Sequence, residues 1–151
     1  MEQAIERVGR GTVAGIGATT AMSAVMLAAQ RAGLVGKLPP EHITERFLDA
    51  LHISRTRPEQ KAVTVLSHYG YGAATGALFG MVQGRVAPRH PILEGIAFGG
   101  LVWLLSYAGW VPAAGILPAP SRDRRPGRQL TLVLVHVVFG GVLGWLARRR
   151  R

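Results

Sequence analysis

Two histidines and two serines are the residues of this chain whose types and spacing could support chemistry. His68, His136, Ser23 and Ser106 each lie a few residues inside a separate apolar stretch. At 1.5 Å per residue, all four fall roughly 8–10 Å below one membrane surface. Facing imidazoles could ligate a b-type haem axially. A neutral pair bonded to hydroxyls would instead form a polar layer that sets helix register. The sequence favours the polar layer, without a cofactor, and keeps haem b as the alternative.

Enzymatic templates are missing from the sequence. It contains no Gly-x-Ser-x-Gly, no P-loop and no His-Glu-x-x-His motif. Nothing around Ser106 resembles a nucleophile elbow or an oxyanion hole, which a serine–histidine hydrolase needs. The absence of cysteine excludes thiolate metal sites. We therefore predict a protein that is not an enzyme, with no catalytic residue and no metal site.

Four apolar segments must position these residues. They cover approximately residues 11–29, 62–83, 91–111 and 129–147. Each is long enough to cross a hydrocarbon core of roughly 30 Å. With 48% hydrophobic residues and 20 glycines, the chain is too apolar and glycine-rich for an ordinary soluble domain. The prediction is an all-α polytopic membrane protein, a bundle of four transmembrane helices in one domain over residues 1–151.

The loop between the first two segments contains an amphipathic stretch over residues 41–51. Its apolar side chains share one helical stripe: Ile43, Phe47, Ala50 and Leu51. This pattern predicts a short helix on the membrane interface or on the end of the bundle. A cap over the mouth of the bundle is favoured over a helix that docks a partner.

Small residues recur every four positions in three of the apolar segments. The predicted helix-packing glycines are Gly72, Gly76, Gly80, Gly84, Gly95, Gly99, Gly140 and Gly144. In lipid, such positions let a second helix approach closely. Gly76 and its neighbours therefore predict tight helix packing, within the bundle and against copies of the chain or other membrane subunits.

An internal repeat is visible in the second and fourth segments. Both read His-x-x-x-Gly-x-x-x-Gly, beginning at His68 and at His136. Two helical hairpins in the same orientation would form a bundle with a pseudo-twofold axis along the membrane normal. Chance similarity between apolar segments is the alternative.

The chain has a net charge of +10, and its 18 Lys and Arg residues lie almost entirely outside the apolar segments. This distribution is typical of membrane flanks, so nucleic acid is not a predicted partner. The arginine cluster at 148–151 adjoins the fourth segment. Under the positive-inside rule it favours termini in the cytoplasm.

Several strings resemble the small bacterial inner-membrane proteins grouped around YagU. These are GLVGKLPPE at 33–41, HYGYGAATG at 68–76, GWVP at 109–112 and the spacing of His136, Gly140 and Gly144. The resemblance runs over most of the chain. It implies four spans in a bacterial inner membrane, and it implies neither a biochemical activity nor a catalytic residue.

Three functions are compatible with these patterns. The first is a non-enzymatic packing or interaction subunit of a homo-oligomer or a larger membrane complex, in contact with the lipid bilayer. The second is an electron-transfer subunit with bis-histidine haem b. The third is a small transporter or channel, which the pseudo-twofold repeat supports and the shortage of buried charges opposes.

Overall fold

The computed structural model describes residues 2–83 and 90–148, and this part of the chain is helical without strands. The elements are α1 (Glu2–Arg31), α2 (Pro39–Ala50), α3 (Arg57–Gln83), α4 (Pro91–Trp103), a π-helical segment (Leu104–Trp110), α5 (Val111–Ala113), a 3-10 turn (Pro120–Arg122) and α6 (Pro126–Ala147). The predicted all-α class is confirmed.

Three of the described helical stretches are long and apolar enough to cross a membrane. They are Glu2–Arg31, Pro91–Ala113 and Pro126–Ala147. Helix α3 has 27 residues but does not reach the same hydropathy, because His68, two tyrosines and several glycines and threonines interrupt its apolar face. The membrane character expected from the sequence is supported by three helices rather than by four.

Proline and glycine determine several helix ends. Proline occupies the first position of α2, α4 and α6, where its missing N–H leaves no intrahelical bond unmade. Helix α1 ends at Gly33, whose φ of +73° suits a residue without a Cβ. There the Leu34 N–H donates to the Ala29 carbonyl at 3.0 Å. Gly115, with φ of +68°, ends α5 in the same way.

The long helices pack in the spatial order α3, α1, α6, α4. Helix α1 contacts both α3 and α6, while α4 packs against α6, and α2 lies against α3. The main core lies where α1 and α6 meet and is completed by one side chain from α3; its buried members are Ala14, Ala18, Met22, Met26, Phe79, Val135, Phe139, Leu143 and Ala147. Helices α3 and α4 are therefore the outer members of the row.

Helix α2 forms in the first loop, as its amphipathic pattern predicts, but a different face is buried. Thr44 and Leu48 are the buried residues, whereas Phe47 is 61% and Leu51 51% exposed. Ile43 is half-buried and packs against a small core cluster. The structure thus buries the Thr44–Leu48 side of α2 within the protein and leaves Phe47 and Leu51 on its outer surface, so the placement of the predicted stripe at the membrane interface stays a prediction.

Candidate functional site

A cavity of about 260 Å³ lies among α1, α3, the π-helical segment and α6, with α2 across one end. Its walls are mainly apolar, and none of the described residues that line it carries a carboxylate, ammonium or guanidinium group. The polar lining residues are Thr19, Ser67, His68, Tyr71, Thr75, Ser106, Tyr107 and His136. A mostly apolar cavity with a few convergent polar groups is the usual form of a small-molecule site.

The two histidines predicted to face each other both line this cavity. His136 Nδ1 is 2.7 Å from the Leu132 carbonyl oxygen. In His68, Nε2 is buried and has no hydrogen-bond partner among the described residues. One histidine of the cavity wall therefore has a buried polar atom that the described residues do not satisfy, and such atoms call for an explanation.

The two predicted serines differ in position. Ser106 lines the cavity, but its hydroxyl donates to the Val102 carbonyl rather than to an imidazole. Ser23 is half-buried on α1 and does not line the cavity, although Met22 and Met26 do. The expected layer is thus reduced to two histidines and one serine, without serine–histidine hydrogen bonds in the described part of the chain.

A buried polar network adjoins the cavity at Tyr107. The Tyr107 hydroxyl donates to Asp123 Oδ2, which also accepts from Arg128 Nε at 2.7 Å. The Arg125 N–H donates to Asp123 Oδ1 at 3.0 Å. Burial raises the pKa of Asp123, but these three hydrogen bonds outweigh it and hold that pKa below its ordinary value. The network ties the third loop to the cavity wall.

The cavity wall next to that loop is the π-helical segment. Ser106, Tyr107 and Trp110 belong to it and line the cavity, and the backbone of Gly109 leaves the helical region at φ −106°, ψ −106°. Single π-helical turns inside α-helices occur frequently at functional sites. The segment widens the helix where the cavity is.

The backbones of α3 and of the stretch formed by α4 and the π-helical segment make almost no contact beside the cavity, and side chains bridge them. The rings of Phe79 and Phe98 are 5.2 Å apart, and Tyr71 Oη lies 3.5 Å from Ser106 Oγ. Tyr71 and Trp110 both line the cavity and are 46% and 43% exposed. The cavity therefore reaches the lateral surface of the helix row here.

Glycines hold the other two helix pairs together backbone to backbone. A Cβ on Gly76 would lie 2.7 Å from the Cα of Gly15, and one on Gly11 would lie 3.1 Å from the Cα of Gly80. A Cβ on Gly72 would overlap Thr19. The predicted Gly84 lies outside the described residues. Helices α1 and α3 thus cross in antiparallel fashion at a glycine contact.

Helices α4 and α6 form the same kind of crossing. A Cβ on Gly95 would lie 2.9 Å from the Cα of Gly144, and one on Gly99 would lie 3.0 Å from the Cα of Gly140. Gly15 and Gly95 therefore occupy equivalent places, each opposite the two glycines that follow a histidine by four and eight residues. The spacing repeat in the sequence corresponds to two crossings with the same contacts.

Comparison with known proteins places the chain in a family. It belongs to DUF6789, a family of unknown function that matches residues 5–151. Neither the curated proteins nor the solved structures gave a match. The family covers almost the whole chain, cavity and crossings included. The match links the chain neither to the YagU group nor to bacteria, so the resemblance to that group and the bacterial inner membrane stay predictions.

Sequence reasoning missed three parts of this site. Gly11 and Gly15 are four apart on α1, a spacing that would have marked them as partners of the α3 ladder. Asp123 and Arg128 lie in a loop of Pro, Gly and Arg, where no pattern distinguishes a buried acid from a solvated one. The π-helical segment has no propensity signature. No group of three or more His, Asp or Glu that could hold a metal ion is found in residues 2–83 and 90–148.

Proposed function

We propose that this protein is a four-span, non-enzymatic membrane protein that binds a small, mainly apolar molecule taken up from the bilayer. The observation that carries this proposal is the apolar cavity with two histidines, one of them holding a buried nitrogen without a partner. The contacts between the helices indicate how the molecule enters the cavity and why the helices leave space for it.

The fourth span is α3. At 1.5 Å per residue its 27 residues extend about 40 Å, long enough to cross a bilayer core. Its glycines contact α1 from the level of Arg7 to that of Thr19, so both helices share the same depth over four turns. Its polar side chains His68 and Thr75 face the cavity, which spares them contact with lipid.

The two glycine crossings support a bundle of two like hairpins, α1 with α3 and α4 with α6. Within each pair the backbones touch, whereas α3 and α4 stay apart. This difference leaves the cavity between the hairpins. With four spans both termini lie on one side, for which we propose the cytoplasm, in an inner membrane of bacterial type.

Entry through the gap between α3 and α4 fits the surroundings of the cavity. Helix α2 covers one end with Pro39, Pro40 and Ile43. The lateral side is closed by side chains alone, among them the Phe79–Phe98 ring contact and the Tyr71–Ser106 contact at 3.5 Å. In a bilayer this side faces acyl chains. A molecule dissolved in lipid can therefore reach the histidines without crossing water.

Cavity size limits the molecule. A cavity of about 150 Å³ is enough for benzene, so 260 Å³ suits a substituted ring or a short branched chain. Haem b is much larger than this and would require α3 and α4 to separate. The described lining has no charged side chain, which disfavours an ion pathway.

A packing role in a homo-oligomer or larger complex is the other candidate function. The predicted glycines on α3, α4 and α6, apart from Gly84, already contact helices of the same chain. A partner would therefore use a different surface, such as that around Gly70 or Gly100, where an added Cβ meets nothing within 4 Å. Light scattering of the detergent-solubilised protein measures whether such a partner copy is bound.

The cavity is tested by filling it. Thr75→Phe puts a ring into the cavity, and Ala74→Phe puts the same ring on the exposed neighbouring position. The probe is 4-propylanisole, measured by equilibrium dialysis against phosphatidylcholine nanodiscs that hold each variant. We expect specific uptake by the wild type and by Ala74→Phe, and uptake equal to empty nanodiscs by Thr75→Phe.

Equal uptake by all samples, including empty nanodiscs, would refute a binding cavity. The haem alternative has its own readout. A Soret band in the purified protein that disappears in His68→Ala and in His136→Ala would replace the small-molecule proposal by haem ligation.

A further inference from the structure

The polar groups of the cavity are almost all hydrogen-bond acceptors, and this determines which ligand head they fit. The hydroxyl hydrogens of the lining residues are already used within the chain. Thr19 donates to Gly15, Ser67 to Val63, Thr75 to Tyr71, Ser106 to Val102, and Tyr107 to Asp123. Only oxygen lone pairs of these five side chains remain available to a ligand.

Tyr71 carries the sixth hydroxyl of the cavity lining, and its hydrogen is also used within the chain. Its oxygen lies 3.5 Å from Ser106 Oγ. Because the Ser106 hydrogen points to the Val102 carbonyl, the Tyr71 hydroxyl is the donor in this contact. Tyr71 therefore has no second hydrogen for a ligand.

His136 adds the strongest acceptor. A carbonyl oxygen cannot donate, so the Nδ1 atom 2.7 Å from Leu132 O carries the hydrogen. In the neutral imidazole the proton is then absent from Nε2, which is left with a lone pair. A second proton would place an unpaired charge in an apolar cavity whose described lining has no carboxylate. The neutral form with a basic Nε2 is the one that the site favours.

From this arrangement we infer that the ligand is a neutral, apolar molecule with a hydroxyl head, such as a phenol or a short alcohol, whose O–H donates to His136 Nε2. This inference rests on the proposed function and names its ligand class. A ligand with only carbonyl or ether oxygens would leave the lone pair of His136 Nε2 without a donor. An ammonium head could donate, but it would bring a charge without a counter-charge into the cavity.

His68 also lines the cavity, but its Nε2 has almost no accessible surface and no hydrogen-bond partner among the described residues. The ligand head is therefore assigned to His136 alone.

The test compares two probes that differ in the hydrogen-bond donor and in one methyl group. 4-Propylphenol carries an O–H, and 4-propylanisole has the same ring, tail and oxygen with a methyl in place of the hydrogen. Binding is measured by equilibrium dialysis against wild-type nanodiscs, after subtracting uptake by nanodiscs that hold Thr75→Phe. We expect the phenol to bind about tenfold more tightly, the effect of one hydrogen bond in an apolar site.

The acceptor is tested by His136→Phe, with Val137→Phe as its matched control. Val137 is 36% exposed and does not line the cavity. We expect the preference for the phenol to fall to near one in His136→Phe and to stay about tenfold in Val137→Phe. If His136→Phe does not fold, the wild-type comparison of the two probes decides alone.

The possible outcomes separate the two proposals. Equal affinity of the wild type for both probes would overturn the hydroxyl inference and leave the binding function intact. Specific uptake of neither probe would overturn both. Preference for the ether over the phenol would mean that the cavity presents donors, contrary to the hydrogen-bond directions above.

Discussion

The close contact between α3 and α1 at Gly76 can be tested with one methyl group. Gly76 and Gly70 both lie on α3, six residues apart, but a Cβ on Gly76 would be 2.7 Å from Gly15 Cα whereas one on Gly70 would meet nothing within 4 Å. The change Gly→Ala has the same effect on helix propensity at both positions, a gain of about 1 kcal/mol or less. The difference between the two variants therefore reports helix packing alone.

The expected magnitude follows from that distance. Carbon atoms in contact lie about 3.5–4.0 Å apart, so Gly76→Ala forces α1 and α3 apart by roughly 1 Å. A gap of that size removes a quarter to a half of the dispersion energy along the crossing. Overpacking of this kind costs about 1–3 kcal/mol. We expect Gly76→Ala to be less stable than Gly70→Ala by about 2 kcal/mol, roughly 4–8 °C in Tm.

The assay is thermal unfolding in detergent, followed by far-UV circular dichroism, with size exclusion as a check for a monodisperse peak. The larger change Gly76→Leu should abolish that peak, whereas Leu78→Ala should not, because Leu78 is 50% exposed. Equal Tm values for Gly76→Ala and Gly70→Ala would refute the close approach of the two backbones.

The second crossing, the third loop and α2 each give a further prediction. In α6, Gly140→Ala should destabilise the folded protein and Gly141→Ala should not. The Cβ added at Gly140 would lie 2.9 Å from Ile96 Cα, whereas the one added at Gly141 would lie 3.7 Å from a flexible side chain. Thermal unfolding of the two variants tests this difference. Asp123→Asn should lower the free energy of unfolding by about 3 kcal/mol, since it leaves the Arg128 guanidinium without its buried carboxylate, and an unchanged melt would mean that the ion pair contributes nothing. The pKa of Asp123 is lowered in the folded state. Its stabilising contribution is therefore present above the ordinary pKa of 3.8 and is lost as pH falls through the folded-state pKa. Between about pH 6 and pH 3, the Tm of the wild type should fall by more than the Tm of Asp123→Asn. On α2, a lysine at Leu48, which is 7% exposed, should make the loop protease-sensitive, whereas a lysine at exposed Asp49 should not.

The sequence by itself determined the helices and the apolar character of three of them, and it predicted an equal depth for the two histidines. Apolar runs of about 20 residues, proline at helix starts and glycine at helix ends act locally, so no tertiary information is needed to read them. The equal depth of His68 and His136 follows from counting residues along two helices. Both side chains line one cavity because they lie on the inward faces of their helices. The spacing of the glycines indicates which faces these are.

Only the tertiary structure decided what each face meets. Gly11 and Gly15 have the spacing of packing glycines, but only the helix crossing decided which turns of α3 they contact. Phe47 lies outside and Leu48 inside because α2 docks on α3 at an angle that its own periodicity does not encode. The link between Tyr107 and Asp123 spans 16 residues and a π-helical turn, and such a contact exists only after the chain has folded. Local sequence patterns report the structural preferences of one segment. The cavity instead depends on the distance between the two helical hairpins, each of which is held together by its own glycine crossing.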